Sequence, residues 1–187
     1  MLAELTAAIE RRDPYTRGHS VRVADLAVTL GEALGWVGAR LDTLRLGGLL
    51  HDIGKLAVSA HVLAKPGPLS PDELAAIRAH PVTGAKLLEP IAAARPALSC
   101  VLFHHERWDG NGYPTGRGGH DIPLDARVLA VADAYDAMTT TRPYRRAFTS
   151  EEARSEIARC AGTQFDPMLS VLFVELWDDD ALAAAAG

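Results

Sequence analysis

The chain has 187 residues, 48% of them hydrophobic, and a formal net charge of -5. That length fits one domain with a real core, and the negative balance argues against broad binding to nucleic-acid polymers or membrane surfaces. No apolar run approaches the roughly 18 residues that cross a bilayer and no basic-then-apolar leader is visible, so a cytoplasmic setting is expected.

Taken in order, helix signals are frequent and strand signals scarce, which predicts an all-α bundle over residues 1–177 with a short Ala-rich tail over 178–187. A first helix is expected over 2–12, broken at Asp13-Pro14. A second runs from about Gly18 to Leu34, with Val23, Leu26, Ala27, Leu30 and Leu34 as its apolar stripe and His19 on the same inward face. The third, from about Gly38, carries Leu41, Leu44, Gly48 and His51 on one face and ends in Leu49-Leu50-His51-Asp52-Ile53-Gly54-Lys55, where Gly54 is expected to stop it. Two leucines ahead of the pair place it away from open surface. A buried Asp52 then needs a cation, a hydrogen-bond network or a metal.

After a loop at Lys65-Pro66-Gly67-Pro68, Ser70-Pro71-Asp72-Glu73 reads as an N-cap, a first-turn proline and a capping-box glutamate, opening a helix to His80. Pro81 opens another toward Leu88, and a further helix over about 96–105 ends in Phe103-His104-His105-Glu106. The stretch from Trp108 to Gly119 is too rich in glycine for a helix and is expected as an ordered surface loop, long enough to suggest a function. Pro123 to Thr140 follows as a central helix, apolar nearly all round, with Asp133 and Asp136 three residues apart on one face. Arg142, Arg145 and Arg146 come next and could simply pair with those carboxylates. Final helices are expected over about 150–160 and 166–177, after Thr149-Ser150 and Asp166-Pro167. Cys100 and Cys160 are too few for a disulfide framework and read as buried free thiols, while His61 and His120 read as surface residues.

Five histidines, His19, His51, His80, His104 and His105, fall at helix ends or on inward faces, and Asp52 and Asp133 join them. Nitrogen and oxygen donors of this kind suit a borderline first-row metal such as Fe, Mn, Co or Zn rather than a Ca or Mg cage. Seven donors exceed what one tetrahedral ion takes, so at least two metals are implied.

The order His19, His51-Asp52, Asp133 resembles the ligand pattern of the HD phosphohydrolase superfamily. His80, the pair His104-His105, the loop His-His-Glu-Arg-Trp-Asp-Gly-Asn-Gly-Tyr-Pro, the start Asp13-Pro14-Tyr15-Thr16-Arg17-Gly18-His19-Ser20 and Arg142-Pro143-Tyr144-Arg145 are similar to the HD-GYP subgroup. The likeness runs from about residue 8 to Phe173. It implies a compact HD-type bundle with an ordered Gly-Tyr-Pro loop that hydrolyses the bacterial second messenger cyclic di-GMP. It places metal ligands on His19, His51, Asp52, His80, His104, His105 and Asp133. It places substrate contacts on Lys55, Gly112, Tyr113, Asp136, Arg142 and Arg145, Asp136 accepting from guanine. Some members hold a third metal through a glutamate four residues before the first histidine. Tyr15 stands there instead, which argues for two ions, Fe or Mn first, with Zn, Co or Ni as the other candidates.

The mechanism this implies is a hydroxide held between two metals bridged by Asp52, attacking phosphorus in line with the departing 3′ oxygen. His51, Asp52 and Lys55 are thus the catalytic set, Lys55 helping to stabilise charge on the non-bridging oxygens. The product is linear pGpG, or GMP after a second cut. An upstream receiver or sensor domain, or a GGDEF-type cyclase, is the expected partner class. Two rivals stand beside this reading. One is an HD phosphohydrolase acting on another nucleotide, a mixed cyclic dinucleotide included. The other is a non-hydrolytic cyclic di-GMP sensor, or a module that docks a partner through residues 108–120.

Overall fold

The computed structural model describes residues 18–141 and 146–177; the expected first helix over 2–12, Tyr15, Arg142, Arg145 and the tail over 178–187 lie outside the described residues. The helices are α1 (His19–Ala33), α2 (Ala39–Leu50), α3 (Ala60–Leu63), α4 (Pro71–Arg78), α5 (His80–Leu88), α6 (Leu98–Phe103), α7 (Leu124–Thr139), α8 (Ser150–Arg159) and α9 (Pro167–Leu176). Short 3₁₀ turns cover Ile53–Ala57, Ala92–Ala97 and Gly119–Asp121. Among the described residues there is no strand, only a lone bridge between Ala161 and Phe165, so the all-α expectation holds. None of these helices is long and apolar enough to cross a membrane.

Local sequence sets the helix starts. At α4 the Ser70 hydroxyl accepts from Glu73 N at 3.2 Å while the Glu73 carboxylate accepts from Ser70 N at 2.7 Å, and Thr149 with Glu152 repeats the arrangement at α8. Asp166 caps α9 by accepting from Met168 N and Leu169 N, and the same carboxylate takes a buried ion pair from Arg127 of α7. The helix expected over 96–105 is shorter: Pro96 falls inside the 3₁₀ turn Ala92–Ala97, and α6 follows over Leu98–Phe103.

The main core gathers Val23, Ala27 and Leu30 of α1, Leu44 of α2, Val128, Leu129 and Ala132 of α7, Ile157 of α8, and Leu169 and Phe173 of α9. Each fully buried large side chain contributes on the order of 1.5–3 kcal/mol. A smaller core of Leu50, Ile53, Leu88, Ala94 and Val101 lies under the ends of α2 and α6. Helix α1 packs on α2 and α7, and the 3₁₀ turn after α2 packs on α5.

Gly54 has a different task from the one expected. Helix α2 already ends at Leu50, and Gly54 lies inside the following 3₁₀ turn. A Cβ there would run into the His80 carbonyl oxygen and stand 2.7 Å from Gly84 N, both backbone atoms that cannot swing away. Only glycine lets the turn dock backbone-to-backbone on α5. That docking sets Asp52 beside His80.

Candidate metal centre

Five imidazoles and two carboxylates converge where α2, α6 and the α4–α5 junction meet α1 and α7. His51 follows the last residue of α2, His80 opens α5, and His104 and His105 follow α6. His51, His80, Asp52 and His104 are 3% exposed or less. Ring centroids step through the group at 5.2 Å from His19 to His51, 5.1 Å from His51 to His104 and 5.3 Å from His104 to His80. His105 adjoins His104 at 4.1 Å.

Backbone carbonyls fix the tautomers. His51 Nδ1 lies 2.7 Å from Gly48 O, His80 Nδ1 2.7 Å from Ile77 O and His104 Nδ1 3.0 Å from Val101 O. A carbonyl only accepts, so Nδ1 carries the proton in all three rings and Nε2 is left as a lone pair aimed inward. Two observations then call for a cation. His51 Nε2 is buried with no hydrogen-bond partner, and His80 Nε2 faces His104 Nε2 at 3.3 Å, acceptor against acceptor. Each is costly unless a positive charge sits between the donors.

The donors sort into two clusters that share one carboxylate. Asp52, His80, His104 and His105 offer ligand atoms all within 4.8 Å of one another, and so do His19, His51 and Asp52. Asp52 Oδ1 stands 3.2 Å from His80 Nε2, and Oδ2 stands 3.4 Å from His51 Nε2 and 2.7 Å from Lys55 Nζ. Asp133 adds a carboxylate to the His19 cluster, its Oδ1 3.2 Å from His19 Nε2 and 3.8 Å from His51 Nε2. The seven expected ligands are therefore together, and the chemistry of the set fits first-row divalent ions.

Electrostatics agree with that fit at His104 and His105. Burial pushes His104 well below the usual imidazole range, helped by repulsion from His105, and burial lowers His105 to about 4, so both are neutral at pH 7, the form in which imidazole can take a metal. His19 moves the other way: burial opposes its charge, but hydrogen bonds to Asp133 and Asp136 outweigh it and raise the pKa to about 9. Burial likewise opposes the charge on Asp52, yet the Lys55 ammonium holds its carboxyl well below the ordinary range.

Asp136 has partners that the sequence did not point to. Read from sequence as an acceptor for guanine, it is 3% exposed and turned away from the cluster interior toward α1. Its Oδ2 takes His19 Nδ1 at 2.7 Å and its Oδ1 takes Arg22 Nε at 2.5 Å, with Arg22 Nη2 at 3.0 Å from Oδ2. Asp136 orients the His19 ring, an arrangement common behind ligating histidines. Arg22 of α1, not an arginine after α7, supplies the partner charge among the described residues.

The Gly-Tyr-Pro loop is ordered, as expected, and Glu106 is the residue that sequence reading overlooked. Buried at 3% exposure, its carboxylate accepts from Thr115 N and Thr115 Oγ1, both at 2.6 Å, and from Gly116 N at 3.1 Å. Trp108 N and Asp109 N donate to Gln164 O and Thr163 O, tying the loop to the turn before α9. Gly112 has a packing reason to be glycine: a Cβ would stand 2.5 Å from Glu106 Cα and 2.6 Å from His105 O. The close approach lets Tyr113 N donate to His105 O at 3.1 Å and lays the Tyr113 ring 4.8 Å from the His105 ring. Beside them opens a cleft of about 270 Å³ lined by Arg78, His104, His105, Arg107, Tyr113 and Asp133 among others. Cys100 and Cys160 are buried free thiols and His61 and His120 are exposed, as expected.

The profile of the HD domain family matches residues 5–169 of the chain. The chain is 39% identical to the cyclic di-GMP phosphodiesterase response regulator RpfG of Xanthomonas campestris, over 89% of this chain and 44% of the relative. It is 34% identical to 3'3'-cGAMP-specific phosphodiesterase 2 of Vibrio cholerae, over 96% of this chain and 35% of the relative. The chain thus spans less than half the length of these curated relatives. Its fold superposes on the crystal structure of a V. cholerae cyclic GMP-AMP-specific phosphodiesterase (V-cGAP3) with a TM-score of 0.74 at 20% identity, covering 100% of this chain and 50% of that one.

Proposed function

The chain belongs to the HD domain family, and from that premise we propose that it is a metal-dependent phosphodiesterase hydrolysing cyclic di-GMP. The observation that carries the proposal is Asp52, whose two oxygens belong to both histidine clusters beside a cleft large enough to admit part of a nucleotide. His19, His51 and Asp133 would hold one divalent ion with Asp52, and His80, His104 and His105 the other. Fe or Mn is our first assignment, since imidazole and carboxylate donors take either and availability decides. Bound there, such ions act as Lewis acids and acidify water from a pKa of about 15.7 toward about 7.

The chain's own residues do the rest. The three backbone-bonded imidazoles keep Nε2 aimed inward before any ligand arrives, so no tautomer change is needed on binding. Asp136 and Arg22 hold His19 in line. Lys55 sets a cation against the bridging carboxylate, where it can meet a phosphate oxygen. Tyr113, fixed by Glu106 through the loop, gives one wall of the cleft an aromatic face. Water is added across one P–O3′ bond of the ring, the bond breaks, and linear pGpG leaves, with GMP after a second cut. RpfG supports guanine on both sides of the ring, while the relative named for cGAMP makes a mixed ring the substrate to test beside it. A receiver or GGDEF-type partner and a cytoplasmic setting accompany this reading, and the description of RpfG as a response regulator supports the former.

The test is hydrolysis by protein of measured metal content, loaded with Fe(II) or Mn(II) under reducing conditions, with products resolved by chromatography. The expected result is pGpG or GMP from cyclic di-GMP, absent in His51→Ala, which loses metal as well. Tight binding without turnover at two metals per chain would replace the enzyme with a sensor.

A further inference from the structure

Every arginine among the described residues except one is hydrogen-bonded or ion-paired to a carboxylate, a carbonyl or a side-chain oxygen. Arg22 meets Asp136, Arg45 meets Asp25, Arg127 meets Asp166 and Arg159 meets Glu156. Within the cleft, Arg107 is doubly bonded to Asp109, with Nε–Oδ1 at 3.1 Å and Nη2–Oδ2 at 2.7 Å, and also reaches Gln164 Oε1. It is a structural arginine. Arg78 is the exception. It is the last residue of α4, exposed, two residues before the ligand His80, and it lines the same cleft as His104, His105 and Asp133. Its contact is the Tyr113 ring, whose centroid lies 5.5 Å from the guanidinium carbon.

That separation decides what Arg78 can do. A nucleobase stacked between guanidinium and phenol would need two van der Waals gaps, about 7 Å in all, so the pair is closed to an inserted ring. The tyrosine contact uses a π-face and leaves the planar fork of N–H donors unspent. Unspent, oriented guanidinium donors beside a metal-facing cleft match an oxyanion with two acceptors.

We infer that Arg78 binds the substrate through the phosphate that is not being cut, the one lying across the dinucleotide ring from the metal centre. This rests on the phosphodiesterase reading above. Tyr113 then has a second duty besides walling the cleft, since it carries the guanidinium of Arg78 on its ring.

The experiment measures the Kd of metal-loaded wild type, Arg78→Ala and Arg78→Lys for hydrolysis-resistant phosphorothioate forms of cyclic di-GMP and of 3′3′-cGAMP, with metal content in parallel. A phosphate contact is blind to the bases, so Arg78→Ala should weaken both ligands by the same factor, about 10- to 100-fold for one charge-assisted pair. Arg78→Lys should fall between, keeping charge and losing the fork, and metal content should stay at the wild-type value. Weakening of one ligand alone would assign Arg78 to a base edge and overturn the inference, as would unchanged affinity for both. Loss of metal together with affinity would mean that Arg78 acts through His80, and would overturn it too. Wild type that binds both ligands through Arg78 but cleaves neither would support this inference while removing the proposed activity.

Discussion

Replacing Asp136 by asparagine separates its two readings. In the structure Asp136 Oδ2 accepts from His19 Nδ1 at 2.7 Å, a short charge-assisted bond between two nearly buried groups. Such a bond is worth about 1.5–3 kcal/mol. Asparagine offers a neutral acceptor at best, and its amide nitrogen would face either His19 or Arg22, donor against donor. Most of that energy is therefore lost from the orientation of His19, whose raised pKa also depends on this carboxylate. Carboxylates behind ligating histidines typically change metal affinity by about 10- to 100-fold, which at about 1.4 kcal/mol per factor of ten is the same range. The Arg22 side chain is 44% exposed and can turn to water, so its loss adds little. Competition of apo-protein against a chelator of known affinity should show the 10- to 100-fold loss. KM for cyclic di-GMP, measured at saturating metal, should stay within about threefold of wild type, a difference of about 0.6 kcal/mol. Unchanged metal affinity with a KM raised tenfold or more would return Asp136 to the guanine and refute the reasoning.

Glu106→Ala should cost about 1.5–3 kcal/mol, since it removes the buried carboxylate that accepts from Thr115 N, Thr115 Oγ1 and Gly116 N, donors exposed enough to turn to water. Urea unfolding followed by tryptophan fluorescence would show it, and a midpoint equal to wild type would mean that the loop is held by other bonds. Gly54→Ala should destabilise by about 2 kcal/mol or more through forced backbone separation and lower metal content by displacing His80; full metal occupancy in a stable variant would contradict the packing argument. Metal-free protein should be most stable near pH 6.5. Below that, unfolded imidazoles take up protons while His105 resists until about 4, so stability present above 6.5 drains between 6.5 and 4 at up to about 1.4 kcal/mol per pH unit. Above it, the stabilisation by His19, complete below 6.5, is lost as pH rises through about 9. A urea midpoint that climbs from pH 6.5 to 4.5 would break this account.

What could be read in advance was local. His51 and Asp52 could be placed at the end of a buried helix because three- and four-residue spacing is visible in the string, and so could the caps at Ser70, Thr149 and Asp166. The common destination of His19, His80, His104, His105 and Asp133 rested on the family resemblance, since spacing alone does not bring α1 to α7. The roles that were not legible share a cause. Asp136 and its partner Arg22 are separated by 114 residues, and no periodicity links them. Gly54 after a helix looks like a stop, and only the fold reveals the carbonyl of His80 above it. Glu106 was not singled out, because its partners Thr115 and Gly116 lie across a loop that has no repeat to predict its path.

The backbone carbonyls behind His51, His80 and His104 have one more implication. They hold lone pairs toward one another in segments scattered between His19 and Asp133, which meet only when the chain is folded. A bound ion therefore acts as a cross-link spanning most of the bundle, and its affinity is added to the folding free energy instead of standing apart from it. On the proposed function, scarcity of metal would have a second consequence, because a chain stripped of its ions should become a better substrate for proteases as well as lose turnover. Limited proteolysis with and without chelator should show cleavage spreading from the loops into α2 and α6, and identical digestion patterns would unlink the centre from the fold.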